Sequence, residues 1–287
     1  MSENAFTLRQ PSVVTTSAIF ASPHSGRAYP KAFLRDSMLD ARAIRSSEDA
    51  FMDDLIEAAT DFGATSILAR YPRAYVDLNR SEQELDPAVI AGLRRAGPLN
   101  PRIASGLGVI PRVVSNGRAI YRGKIPLAEA DSRLRQVWRP YHAKLGALIR
   151  DSHVHFGRAI LVDCHSMPHE AIEAHMTGRG PRPDVVLGDR FGAAASPEII
   201  EPIEAAFAAA GLNVARNSPF AGAYVSQRYG RPARGCHVVQ IEVDRALYLD
   251  EARVEPSRNY KAFKQLLTGV IGEIADIGRP RIALAAE

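Results

Sequence analysis

Two apolar runs in this chain each end in a histidine followed by turn residues. One is Ser17-Ala-Ile-Phe-Ala-Ser-Pro-His-Ser-Gly26, the other Ala159-Ile-Leu-Val-Asp-Cys-His-Ser-Met-Pro168. Short apolar runs closed by Pro, Ser and Gly read as buried strands. A chain that carries His24 and His165 to two strand ends must bring those ends together at one edge of a sheet, with irregular loops beyond them. Imidazoles held by stiff elements beside loops that admit substrate are what a catalytic metal site needs.

A third apolar run, His237-Val-Val-Gln-Ile-Glu-Val243, contains Glu242, and a carboxylate inside a strand is costly unless paired or close to a cation. The rest of the chain alternates between the two periodicities. A helix is predicted over 47–62, where Phe51, Leu55, Ala59 and Phe62 share a face and Gly63 ends it. Strands follow at Thr65–Ala69 and Ala74–Leu78, the second running into Asn79 and Arg80. Residues 81–122 lose periodicity and are rich in Pro, Gly, Asn and Arg, as expected of pocket-wall segments. A long helix from Leu127 to His155, bent at Pro140, leads into the His165 strand. Then come a strand at Asp184–Leu187, a helix at Pro197–Ala210, the Glu242 strand and a closing helix from Ser257 to Ile277. Alternation of this kind predicts an α/β fold: one domain over 1–287, a mixed and mostly parallel sheet flanked by helices, with a loop-rich insertion at 81–122.

Composition excludes several classes. The net charge of +4 rests on scattered arginines, with only Lys31, Lys124, Lys144, Lys261 and Lys264 as lysines, so no basic tract suits a nucleic acid. Scattered arginine suits bidentate clamps for carboxylates. Cys164 and Cys236 make no disulfide framework, which fits a reducing cytoplasm. The N-terminus has no signal pattern, and no apolar stretch reaches the roughly 18 residues of a membrane span.

A catalytic zinc takes three protein ligands and keeps one position open. His24, His165 and a carboxylate just after the first strand meet that requirement, and Asp49 is favoured over Glu48 and Asp53, although Ser46-x-x-Asp49 also resembles a helix cap. Glu242 is the candidate general base for the water, with a salt bridge to Arg245 as the competing structural role. Asn79 and Arg80 offer an amide and a guanidinium fork to a substrate carboxylate, and Arg245 joins them as a binding candidate. Cys164, adjacent to His165 on a strand, points to the opposite face and is read as a packing residue rather than a nucleophile.

Ser22-Pro-His-Ser-Gly26, Asp49-x-x-x-Asp53-x-Leu55, Tyr75-Val-Asp-Leu-Asn-Arg80, Pro140-Tyr-His142, Asp163-Cys-His-Ser166, Leu187-Gly-Asp189, Tyr229-Gly-Arg-Pro232 and Gln240-Ile-Glu-Val-Asp-Arg-Ala-Leu-Tyr248 together resemble the N-formylglutamate amidohydrolase family. The resemblance implies a fold similar to the zinc-dependent exopeptidases and aspartoacylase-like deacylases. It also implies zinc-dependent hydrolysis of a small N-acyl amino acid, with N-formyl-L-glutamate giving formate and L-glutamate in histidine breakdown. It places metal on His24, Asp49 and His165, the base at Glu242, and a terminal carboxylate on Asn79 and Arg80. Two positions depart from the pattern: Asp244 stands where a neutral residue is usual, and no His-x-x-Glu pair follows His24. A related deacylase or carboxypeptidase-like peptidase, and a non-catalytic binder of an anionic amino acid, are the competing functions.

Overall fold

The computed structural model describes residues 5–93, 100–173 and 182–280. Its strands, in chain order, are β1 (Phe6–Arg9), β2 (Ala18–Ser22), β3 (Thr65–Ala69), β4 (Ile90–Ala91), β5 (Ile125–Pro126), β6 (Ala159–Met167), β7 (Val185–Gly188), β8 (Val214–Arg216), β9 (Cys236–Asp244), β10 (Leu249–Asp250) and β11 (Glu255–Pro256). Seven form one sheet in the order β1-β3-β2-β6-β9-β7-β8. The central pairs β3–β2, β2–β6 and β6–β9 are parallel, whereas β1–β3 and β7–β9 are antiparallel, so the sheet is mixed and mostly parallel.

Both faces of the sheet are covered, which is why its inner strands read as near-continuous apolar runs. On one face Phe20, Ile160, Val162, Cys164, Val239 and Ile241 pack against the helices Pro197–Ala209 and Tyr260–Ile277. On the other, Ile19, Ala21, Leu161 and Val238 meet the helix Arg139–Phe156. Alternation along β6 and β9 therefore puts Asp163, His165, Gln240 and Glu242 on this second face. In the β6–β9 ladder Asp163 is registered with Gln240 and His165 with Glu242.

Three predicted elements differ. The helix predicted over 47–62 is broken into a 3-10 turn at Ala43–Ser47, a single α turn at Met52–Leu55 and another 3-10 segment at Glu57–Phe62. Its apolar spacing is real, but Asp49 N–H donates to His24 O at 3.1 Å and Phe51 adopts a left-handed φ of 63°, which no helix continues through. The strand predicted at Ala74–Leu78 is an unladdered turn, in which Tyr75 N–H donates to Pro72 O and Asp77 N–H to Val109 O. The long helix runs as predicted but carries a π-helical turn at Leu134–Trp138, ahead of Pro140. Proline offers no N–H to the preceding turn, and here Arg139 N–H reaches back to Leu134 O. Among the described residues of 81–122 only short pieces are regular, including a helical turn at Pro101–Ala104.

Candidate metal centre and active cleft

His24 lies two residues beyond β2, in a turn pressed onto neighbouring backbone. A Cβ on Gly26 would stand 2.1 Å from Tyr71 O, so the turn closes only around glycine. His165 lies inside β6, which continues to Met167, and Asp49 sits in the loop ahead of the Met52–Leu55 turn. These three side chains converge. His165 Nδ1 is 2.9 Å from Asp49 Oδ2 and 3.1 Å from His24 Nδ1, and His24 Nδ1 is 3.4 Å from Asp49 Oδ2. Glu48 turns away to Tyr29 and Arg45, and Asp53 pairs with Arg27 at 2.6 Å. Ser46 Oγ donates to Ala43 O at 2.8 Å and caps nothing at Asp49.

The outer nitrogens of both rings are held by buried carboxylates. His24 Nε2 is 2.8 Å from Asp77 Oδ1, and His165 Nε2 is 3.1 Å from Asp163 Oδ2. Asp77 also accepts from Asn79 N–H at 2.8 Å and from Arg73 Nε at 2.9 Å, as an ionised carboxylate does. A neutral ring with its proton on Nε2 satisfies the carboxylate behind it and turns its Nδ1 lone pair inward, so that the two lone pairs face one another and an Asp49 oxygen. Three lone pairs at such distances repel unless positive charge lies between them. A tetrahedral zinc with bonds of about 2.0–2.1 Å has ligand-to-ligand edges of about 3.3–3.4 Å, close to those observed. The donor set therefore fits a divalent metal, and it is a cluster of buried residues able to hold one.

Electrostatics follow the same logic. Burial opposes the charge on Asp49, but hydrogen bonds and charge from His165 and His24 outweigh it and hold the carboxyl well below its usual range. For Asp77, burial is outweighed by Arg73, His24 and Arg80. Burial likewise opposes charge on His165, yet Asp163 and Asp49 raise it well above its usual range. The centre attracts positive charge, proton or cation.

Glu242 faces the cleft. Desolvation pushes its carboxyl up to about 7, with Asp49 adding and His165, Arg73 and Arg245 opposing. Gln240 fixes one of its oxygens. The Gln240 Oε1 accepts from Ala223 N–H at 2.9 Å, which orients the amide so that Nε2 donates to Glu242 Oε1 at 2.8 Å. No ion pair joins Glu242 to Arg245. Instead Arg245 donates to Asp49 Oδ1 and Ser166 Oγ at 3.1 Å each and to Ser46 O at 3.3 Å. Its guanidinium is thus spent on orienting Asp49. Asn79 is similarly engaged: Oδ1 accepts from Val225 N–H at 2.8 Å, and Nδ2 reaches Asp163 Oδ2 at 3.3 Å.

These groups line a cleft of about 780 Å³ with Arg73, Arg80 and Arg102 on its wall. The backbone at Asn79–Arg80 is clamped from the long helix: Trp138 Nε1 donates to Arg80 O and His142 Nε2 to Leu78 O, both at 2.9 Å. The π-helical turn ends on Trp138, the first residue of this clamp. Cys164 points into the opposite core, where burial and Asp163 raise its thiol well above the usual range. Sequence reasoning gave no role to Asp77, Asp163, Gln240, Arg73 or Trp138. For Asp163 and Gln240 a signal exists, since each lies two residues before a site residue on its strand and must share its face.

The sequence pattern of N-formylglutamate amidohydrolases matches residues 16–249, a span that takes in every one of these site residues. The chain belongs to the N-formylglutamate amidohydrolase family. Within it, the protein is similar to the N-formylglutamate deformylase of Pseudomonas aeruginosa, at 32% identity over 238 residues, covering 81% of this chain and 82% of the relative. The Pseudomonas putida deformylase is 30% identical over the same shares. The crystal structure of an N-formylglutamate amidohydrolase from Ralstonia eutropha superposes with a TM-score of 0.90 at 32% identity, covering 96% of this chain and 99% of that one. A protein from Agrobacterium tumefaciens, at 15% identity and a TM-score of 0.67, shares the fold. Among the described residues no helix is long and apolar enough to cross a membrane.

Proposed function

We propose that this protein hydrolyses N-formyl-L-glutamate to formate and L-glutamate with a zinc ion held by His24, Asp49 and His165. The observation that carries the reading is the convergence of two imidazole Nδ1 atoms and one Asp49 oxygen, each imidazole backed by its own carboxylate. A zinc ion held by these three residues would supply Lewis acidity, polarising the formyl carbonyl and lowering the pKa of a water.

The chain's own groups do the rest. Glu242, with Oε1 pinned by Gln240, takes the proton from the attacking water and delivers it to the departing amine nitrogen. Desolvation suits it to that exchange, because a carboxyl near 7 both accepts and returns a proton at neutral pH. Arg80 anchors the substrate α-carboxylate, while Asn79 acts mainly by fixing Asp163 and the Val225 backbone. Arg245 belongs with Asp49 rather than with the substrate.

The test is formate release from N-formyl-L-glutamate by purified protein, alongside its zinc content. Turnover that is abolished by a chelator, restored by zinc and lost with metal in His24→Ala and His165→Ala is the expected result. Full zinc occupancy in both variants would overturn the ligand set, and no formate from the zinc-loaded chain would overturn the reaction.

A further inference from the structure

Four arginines line the cleft, and their charges are not balanced alike. Arg73 is paired with Asp77 and Arg245 with Asp49, so each has a carboxylate of its own. Arg80 is buried and its hydrogen bonds go to neutral carbonyls, Nε donating to Leu107 O at 3.0 Å and Nη1 to Asn79 O at 2.8 Å, while Asp77 and Glu84 act on it through charge without an ion pair. Arg102, on the cleft wall and open to solvent, has no side-chain partner among the described residues. The nearby Glu84 is engaged elsewhere, accepting from Ser81 N–H at 3.2 Å and Asn100 Nδ2 at 3.3 Å.

Arg80 and Arg102, neither of them in an ion pair among the described residues, are tied to each other through one residue. Leu107 O accepts from Arg80 Nε, and Leu107 N–H donates to Arg102 O at 2.8 Å. The turn between them is braced by Arg112, whose Nη2 donates to Ala104 O at 2.7 Å, and the start of the Pro101–Ala104 helix is capped by Asn100 Oδ1. Burial lowers the Arg80 pKa, Asp77 and Glu84 oppose that, and Arg73 and Arg102 add to it, so the Arg80 and Arg102 guanidiniums sense each other. A buried cation with no carboxylate in direct contact is costly, and a second cation beside it adds to the cost. A ligand with two carboxylates relieves both.

We propose that Arg102 is a specificity-determining residue that receives the side-chain carboxylate of the substrate, while Arg80 receives its α-carboxylate. This assignment rests on the reading of the cleft as an N-formyl amino acid site and on Arg80 as its α-carboxylate anchor. The catalytic centre lies on other elements, so removing the Arg102 charge leaves the chemical step intact.

N-formyl-L-glutamate and N-formyl-L-glutamine differ only in the charge and one atom of the side-chain terminus, so the pair isolates the contact. In zinc-supplemented wild type, kcat/KM for the acid should exceed that for the amide. Arg102→Gln should lower kcat/KM for the acid about tenfold or more through KM, the worth of one exposed charge-assisted contact, and leave the amide within about twofold. Arg102→Lys should restore part of the loss, and Arg102→Glu should make the amide the better substrate. Equal losses on both substrates, or no loss on the acid, would overturn the role of Arg102 alone. Wild type that releases formate from neither substrate would overturn the underlying reading and this assignment with it.

Discussion

Asp77→Asn tests whether the carboxylates behind the histidines set metal affinity. Asp77 accepts at both oxygens, from His24 Nε2 and Asn79 N–H on Oδ1 and from Arg73 Nε on Oδ2. An asparagine of the same size presents one oxygen and one NH2, so one side must set donor against donor. If the amide oxygen keeps His24, Arg73 loses its carboxylate; if it turns to Arg73, His24 loses the acceptor that keeps its proton on Nε2 and its Nδ1 lone pair free. Either way the imidazole becomes a poorer, less well oriented ligand. Loss of such a partner costs about 10- to 100-fold in metal affinity, or about 1.4–2.7 kcal/mol. Competition between the protein and a chromophoric zinc chelator measures this directly, and activity lost at limiting zinc should return at excess zinc. A zinc affinity within twofold of wild type, with activity lost at saturating zinc, would refute the backing role and place Asp77 in the chemical step.

Glu242→Gln keeps the shape and the bond to Gln240 but removes the proton acceptor, so kcat should fall by about two to four orders of magnitude with zinc content unchanged; normal turnover would remove Glu242 from the mechanism. Trp138→Phe deletes the donor to Arg80 O and should raise KM about two- to tenfold with kcat preserved, as read from initial rates; a fall in kcat at constant KM would contradict a clamp on the substrate anchor. His142 gives a pH signature. Burial lowers its pKa to about 4 from an ordinary 6.5, so below pH 6.5 the unfolded chain takes up a proton that the folded chain refuses. Stability should fall as pH drops from 6.5 towards 4, by up to about 3 kcal/mol from this group. Urea unfolding of wild type and His142→Gln at both ends of that range isolates the contribution, and parallel pH slopes in the two proteins would exclude it.

The parts of the site built on strands were legible, because a period of two is a rigid rule. Asp-Cys-His and Gln-Ile-Glu each send their outer residues to one face and the middle residue into the opposite core, and β6 and β9 do so. What failed lies between strands. The 47–62 segment has helical apolar spacing, yet the bond from Asp49 N–H to His24 O and the left-handed Phe51 override it, and no local pattern encodes a contact across 25 residues. The error at Ala74–Leu78 is of the same origin: alternating apolar residues are present, with Ala74, Val76 and Leu78 inside, but Asp77 is buried as well and no neighbouring strand supplies a ladder. Misplacing that segment hid Asp77, because its meeting with His24 is purely tertiary. The commitments of Asn79 and Arg245 were invisible for the same reason: a residue type announces what it can bind, whereas its partner depends on the assembled fold.

The ladder that sets His165 against Glu242 also acts as a ruler. Neighbouring strands lie about 4.7–4.9 Å apart, a spacing fixed by backbone hydrogen bonds and not by side chains. Because His165 and Glu242, the proposed ligand and the proposed base, are registered across that ladder, the backbone spacing between them is inherited from the peptide bond itself. Substitutions elsewhere can tilt helices, reshape loops and change what the cleft admits, yet this backbone spacing is held constant. The cleft wall between residues 102 and 117 is therefore free to diverge toward new side chains while the spacing of these two positions stays fixed.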